Sequence, residues 1–297
     1  MQMPNFLIIG AAKAGTTSLY SYLAQHPQVY MSEQKEPRFF ALEGEQPNYG
    51  GITQGINRGS ISTLEDYQKL FEGVTDESAI GEASTIYLYS EKASERIQYH
   101  IPNAKLIAVL RNPADRAFSS YVHLVRDGFE TLSFAEGLQA EQSRREENWQ
   151  PLWFYQHRGF YYEQLKRYFE RFDSGQIKVY LYEDLVKSTQ TVAQDIYRFL
   201  GVDDSFVPDL TRSNVSGIPK RRWLQNLFMK DNPLKSAVKP LLPKQIRKRI
   251  SRDVHRKNTG DKPTFPVEVR QQLVETYRED ILKLQDLLNR DLSIWLK

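Results

Sequence analysis

Phe6-Leu7-Ile8-Ile9-Gly10-Ala11-Ala12-Lys13-Ala14-Gly15-Thr16-Thr17-Ser18-Leu19 sets the frame for the rest of the chain. Phe6–Gly10 is a short apolar run without polar alternation, the pattern of a strand buried on both faces. Small residues follow, which let the backbone turn tightly and point several N–H groups into one space. A helical pattern opens at Thr16 and continues to Gln25. Its N-terminus carries partial positive charge, and Thr16, Thr17 and Ser18 add hydroxyl donors. Together these parts make an anion site. Lys13 stands inside the loop, where packing has no use for an ammonium.

Outward from this unit, apolar strand runs alternate with helical patterns. Strands are expected at Ala79–Glu82, Lys105–Leu110 and Ile177–Tyr182. Helices are expected at Glu91–His100, Asp115–Asp127, Leu132–Glu147, Phe160–Phe172 and Val192–Leu200. The polar, Gly-containing stretch 44–63 reads as a long loop. Strands separated by helices predict an α/β fold, a central and mostly parallel sheet flanked by helices in three layers. Pro233, Pro240 and Pro243 break the region after about 219 into short pieces. A last helix from about Pro266 to Leu288 places Val269, Leu273, Tyr277 and Ile281 on one stripe. The expectation is one domain over residues 1–297, with a helical basic region from about 219 onward.

The chain has 297 residues, 12% aromatic, with a formal net charge of +3 and no cysteine. A small net charge with this aromatic content excludes global disorder. The missing cysteines exclude disulfides, thiol nucleophiles and thiolate metal sites. No run approaches the ~20 apolar residues of a membrane span, and Asn5–Ala12 lacks the basic leader of a signal peptide. A cytoplasmic address is the simple expectation. The net charge conceals an asymmetry: residues 220–262 carry 14 Lys and Arg against three Asp, a net of +11 beside −8 for the remainder.

A nucleoside triphosphatase loop reads Gly, four residues, then Gly-Lys-Ser/Thr. Here Gly10 and Gly15 have that spacing, but Thr16 occupies the lysine position and the lysine lies at Lys13. The loop suits phosphate, while the usual lysine–hydroxyl partnership around a metal ion is not reproduced.

A second motif completes the picture. Leu106-Ile107-Ala108-Val109-Leu110-Arg111-Asn112-Pro113 is a strand ending in arginine, and Ser119 lies eight positions beyond Arg111 on the following helix. An arginine fork and a hydroxyl suit a terminal phosphate. The two motifs, in this order, resemble the 5′-phosphosulfate loop and the 3′-phosphate motif of sulfotransferases that use 3′-phosphoadenosine 5′-phosphosulfate (PAPS). The resemblance implies donor-binding roles for Lys13, Ala14, Gly15, Thr16, Thr17, Ser18, Arg111 and Ser119. Tyr180-Leu181-Tyr182-Glu183-Asp184 resembles a family turn whose tyrosine lies near adenine, which makes Tyr182 either an adenine neighbour or a core aromatic. Arg256-Lys257-Asn258-Thr259-Gly260 is the nearest match to a basic loop that closes over the nucleotide, and assigns Arg256 and Lys257 to it.

Sulfuryl transfer requires an in-line hydroxyl, a base for its proton and positive charge at the leaving phosphate. Lys13 fits the last role. Lys35-Glu36-Pro37-Arg38-Phe39-Phe40 resembles the Glu-x-x-Phe-Phe segment of the heparan-sulfate and Golgi carbohydrate branch, where the glutamate is the base, so Glu36 takes that role. Glu82, in Gly81-Glu82-Ala83-Ser84-Thr85-Ile86-Tyr87, is a second carboxylate, with Ala83 where that branch has lysine. Glu82 or a histidine remains an alternative base, although none of the five histidines lies in a motif tied to the site. No metal is demanded, because the sulfuryl group carries less charge than a phosphoryl group.

The implied activity is PAPS-dependent sulfuryl transfer, with PAP as product, to a hydroxyl or, less readily, an amine. The acceptor class stays open among carbohydrate, lipid and small molecule. A P-loop kinase or nucleotide hydrolase is the alternative. Nucleic acid is not an expected partner. The surplus basic stretch 220–252 is either a solvated face or a contact for an anionic surface.

Overall fold

The computed structural model describes residues 2–46, 48–51, 59–210 and 263–297. Five strands form one parallel sheet: β1 (Phe6–Gly10), β2 (Val29–Met31), β3 (Ala79–Ala83), β4 (Lys105–Leu110) and β5 (Ile177–Leu181), in the order β2-β3-β1-β4-β5. β1 lies at the centre and every residue of it is buried, as its uninterrupted apolar run requires. Gly81 of β3 pairs with Phe6, and a side chain there would collide with the Phe6 ring, 2.3 Å from its Cζ. Glycine at 81 therefore permits the aromatic packing beneath the sheet.

The chain leaves β1 toward β2 and β3 on one side and reaches β4 and β5 on the other. Their ends flank a crevice at the carboxyl edge of β1, the place where open α/β sheets bind ligands. α1 (Thr16–Leu23) opens from the loop after β1, and α5 (Pro113–Arg126) from the end of β4. Asn112 caps α5 by accepting from Ala114 and Asp115 N–H groups, and Pro113 occupies the first turn, where its missing N–H costs nothing.

The remaining α-helices among the described residues are α2 (Phe39–Leu42), α3 (Leu64–Lys69), α4 (Ala93–His100), α6 (Phe134–Gln139), α7 (Glu141–Glu146), α8 (Tyr161–Phe169), α9 (Tyr182–Lys187), α10 (Thr189–Leu200) and α11 (Val267–Leu288). The single helix expected over 132–147 is two helices broken at Ala140. The break lets α7 turn its polar residues inward. Arg144 makes a two-pronged contact with Glu130 at 2.8 and 3.1 Å, and Glu141 accepts from the Gln156 and His157 amides at 2.6 and 2.7 Å. Buried charges that require partners outweigh the apolar periodicity here. α11 buries Leu273, Val274, Tyr277, Ile281 and Leu284. Three of these belong to the expected stripe. The basic stretch 220–252, Arg256 and Lys257 lie outside the described residues.

Candidate active site

One cavity of about 640 Å³ opens at the carboxyl edge of the sheet, and most of the sequence-derived site residues meet in its wall. Lys13 and Gly15 come from the loop after β1, Thr16, Thr17 and Ser18 from the first turn of α1, Arg111 from the β4–α5 turn, Ser119 from within α5, Tyr182 from the start of α9, and Glu36 from the segment after β2. Ala14 is fully buried beneath the loop and takes no part in the wall.

The loop is built for an anion. Gly15 adopts φ +88°, a left-handed conformation that favours glycine, and a Cβ there would lie 3.0 Å from Leu185 and 3.2 Å from the Tyr182 ring. This turn starts α1 without a side-chain cap, so its first amides have no side-chain partner. Lys13 also has positive φ, +70°. Its carbonyl accepts from Arg111 Nη1 at 3.2 Å, which ties the two phosphate motifs together. The Arg111 guanidinium lies 4.7 Å from the Tyr182 ring centre, and Tyr161 Oη donates to the Arg111 carbonyl at 3.1 Å. Burial, with Arg126 next and Arg111 and Lys35 also contributing, pulls the Lys13 ammonium down to a pKa of about 8, against a smaller opposing effect from Asp127.

Glu36 sits across the cavity in a backbone of φ +59°, followed by Pro37 and by Arg38 at φ +64°. Non-glycine residues in this region are strained and persist where their surroundings hold them. The surroundings here are specific: Glu36 N–H donates to Ala83 O at 2.9 Å, Arg38 N–H to Ser84 Oγ at 3.0 Å, and Ile61 N–H to Pro37 O at 2.9 Å. Thr85 donates its amide to Glu36 Oε2 and its hydroxyl to Oε1. Lys35 Nζ lies 3.5 Å from Glu36 Oε1. Arg158 Nη2 donates to the Thr85 carbonyl at 3.4 Å, and burial lowers its pKa to about 10.

Sequence reasoning missed Thr85, Lys35, Arg38, His123, Arg126 and Arg158, all of which line the cavity. His123 stands one helical turn beyond Ser119 on α5, a spacing that could have marked it. Burial first, then Lys13, hold its pKa down to about 4, so the imidazole is neutral near pH 7. Its Nδ1 faces Arg126 Nη2 at 2.6 Å, and Arg126 in turn contacts Asp127 at 2.8 Å.

Glu82 is not part of this wall. It is fully buried on β3, where Oε1 accepts from Tyr67 Oη at 3.2 Å, and burial raises its pKa to about 7. Among the described residues no group of three or more His, Cys, Asp or Glu gathers as a metal site. Among them, too, no helix is long and apolar enough to cross a membrane.

The fold and the cavity define an α/β protein whose central-strand loop is shaped for a phosphate-type anion, with a carboxylate held nearby. Residues 4–206 match the model of the sulfotransferase family, and the chain belongs to that family. A crystal structure of a sulfotransferase from Alicyclobacillus acidocaldarius is 35% identical and superposes with a TM-score of 0.79, covering 100% of both chains. The human bifunctional heparan sulfate N-deacetylase/N-sulfotransferase 3 is 28% identical over 211 residues, which are 68% of this chain and 22% of that protein. The membrane-associated sulfotransferase kil1 of Dictyostelium discoideum is 34% identical over 122 residues, 40% of this chain and 22% of that one. The chain thus spans under a quarter of the length of these two curated relatives.

Proposed function

We propose that the chain transfers a sulfuryl group from PAPS to a hydroxyl, or an amine, of an acceptor that carries negative charge of its own. The observation that carries this reading is the bond from Arg111 to the Lys13 carbonyl, which brings the two phosphate motifs to one cavity that also holds Glu36. The residues fit the donor. The amides at the start of α1, with Thr16, Thr17 and Ser18, suit the 5′-phosphosulfate. Arg111 and Ser119 suit the 3′-phosphate, and the Tyr182 ring offers a face for the base.

In this reading Glu36 takes the acceptor proton as the acceptor oxygen bonds to sulfur. The bond from sulfur to the bridging oxygen breaks, and its electron pair stays on the departing phosphate. Lys13 stabilises that charge. Positioning and electrostatics supply most of the rate, as in phosphoryl transfer. Lys35, Arg38 and Arg158 stand around the Glu36–Thr85 pair, more positive charge than one carboxylate balances. This surplus supports an acidic acceptor.

The test is thermal unfolding with PAP against ATP plus magnesium, followed by turnover of labelled PAPS with matched neutral and acidic acceptors. Stabilisation by PAP alone and preference for the acidic acceptor are expected. Stabilisation by ATP with magnesium alone would refute the donor assignment.

A further inference from the structure

The turn Ser293–Leu296 packs against both nucleotide-site turns. Trp295 is 1% exposed. Its carbonyl accepts from Asn112 Nδ2 at 3.2 Å, beside Arg111, and its indole N–H donates to Glu183 Oε1 at 3.3 Å, beside Tyr182. Its ring lies 6.3 Å from that of Tyr161, whose hydroxyl donates to the Arg111 carbonyl. Arg290 reaches the same α9 turn, with Nη2 at 2.6 Å from Asp184 Oδ2, and Asp184 Oδ2 also accepts from Leu181 N–H at 3.2 Å. Arg270 of α11 lies 3.4 Å from Asp115 in the first turn of α5.

These contacts have one geometric consequence. Arg111 and Tyr182 belong to turns after different strands, yet the guanidinium rests on the ring. The β4–β5 ladder, which pairs Leu110 with Leu181, brings the two turns side by side. No hydrogen bond joins the two side chains, so how they meet beyond the ladder depends on what holds the turns. Trp295 holds both, one through its carbonyl and the other through its indole. Arg290 adds a charge-assisted bond to the second.

We propose that Trp295 and Arg290 are positioning residues that set Arg111 against Tyr182, and so set the preference of the site for a nucleotide bearing a 3′-phosphate. This rests on the PAPS reading. A clamp for packing alone would support every nucleotide equally. A clamp that aims the Arg111 fork matters only for the ligand whose phosphate the fork reads.

The test compares dissociation constants of PAP and 5′-AMP, which lacks the 3′-phosphate, for the wild type and for Trp295→Phe, Arg290→Ala and Arg290→Lys. Wild type is expected to prefer PAP. Trp295→Phe keeps an aromatic ring and loses the indole donor, and Arg290→Ala removes a partly exposed ion pair, a kind of contact that adds little to stability. Each is expected to weaken 5′-AMP modestly, through the shared Tyr182 face, and PAP about tenfold more, the scale of one hydrogen bond to a charged group. Arg290→Lys should restore part of it. Equal weakening of both nucleotides, or no change in either, overturns the positioning role while leaving the PAPS reading intact. A wild type without preference for PAP overturns both.

Discussion

Thr85 holds both oxygens of the Glu36 carboxylate, the amide donating to Oε2 at 3.0 Å and the hydroxyl to Oε1 at 2.8 Å. A carboxylate fixed at both oxygens cannot swing away from a substrate, and its remaining lone pairs point in defined directions. Such support suits a base better than a solvated surface glutamate. Removing the hydroxyl by Thr85→Val should lower kcat about 10- to 100-fold, the scale of a hydrogen bond to a charged group. PAP affinity should stay unchanged. Steady-state kinetics beside calorimetric binding separates the two.

Glu36→Gln removes the proposed base and keeps the hydrogen-bonding shape. Turnover should fall by roughly 10²- to 10⁴-fold, the usual contribution of general base catalysis. PAP should bind as before. Near-normal turnover in this variant would move the proton to another acceptor.

Lys13 is held charged at a cost, because burial and neighbouring cations favour its neutral form. Its folded pKa of about 8 lies below the unfolded value of 10.5. The unfolded chain therefore binds more protons between those values, and below pH 8 the penalty on the fold is complete. Lys13→Met should raise the melting temperature of the ligand-free protein at pH 7 by roughly 2–4 °C, about 1 kcal/mol for a chain of this size. It should also abolish most turnover. Wild-type PAP affinity should decline as pH rises through 8 and the ammonium loses its proton. Calorimetry in two buffers of different ionisation enthalpy should detect proton uptake on binding near that pH.

Glu82 shows the opposite sign. Its folded pKa of about 7 exceeds the ordinary glutamate value of 4.5, so the fold favours the protonated acid. That contribution is complete below about pH 4.5 and is lost as pH rises through 7. Glu82→Gln, neutral at every pH, should flatten the decline of melting temperature between pH 5 and 8. Because Glu82 does not reach the cavity wall, turnover should survive the substitution. Loss of turnover at constant stability would return Glu82 to the chemistry.

Gly15→Ala places a Cβ 3.0 Å from Leu185 and 3.2 Å from Tyr182, in a backbone of φ +88°. The cost should be about 1 kcal/mol or more. The displaced loop should weaken PAP binding beyond the loss of stability, as thermal unfolding with and without PAP will show.

Lys13 and Arg111 were legible because each follows an apolar strand whose end fixes where the next residues emerge, whereas Tyr182 was singled out by its resemblance to a family turn. Glu36 was legible only through its resemblance to a family segment. β2 has three residues and α2 four, too few for periodicity to register. Thr85 and Arg158 meet only because the short turn His157–Gly159 packs against the end of β3, 73 residues away in the chain. His123 and Arg126 lie on a helix whose extent was clear; the one-turn step from Ser119 pointed to His123, whereas Arg126 is placed at the loop only by the docking of α5.

The strand order divides the cavity. Lys13, Arg111 and Tyr182 follow β1, β4 and β5, while Glu36 and Thr85 follow β2 and β3. On the proposed reading the donor wall thus belongs to the middle and one flank of the sheet, and the acceptor wall to the opposite edge. A lineage can rebuild that edge for new acceptors while the machinery that grips the donor is inherited intact.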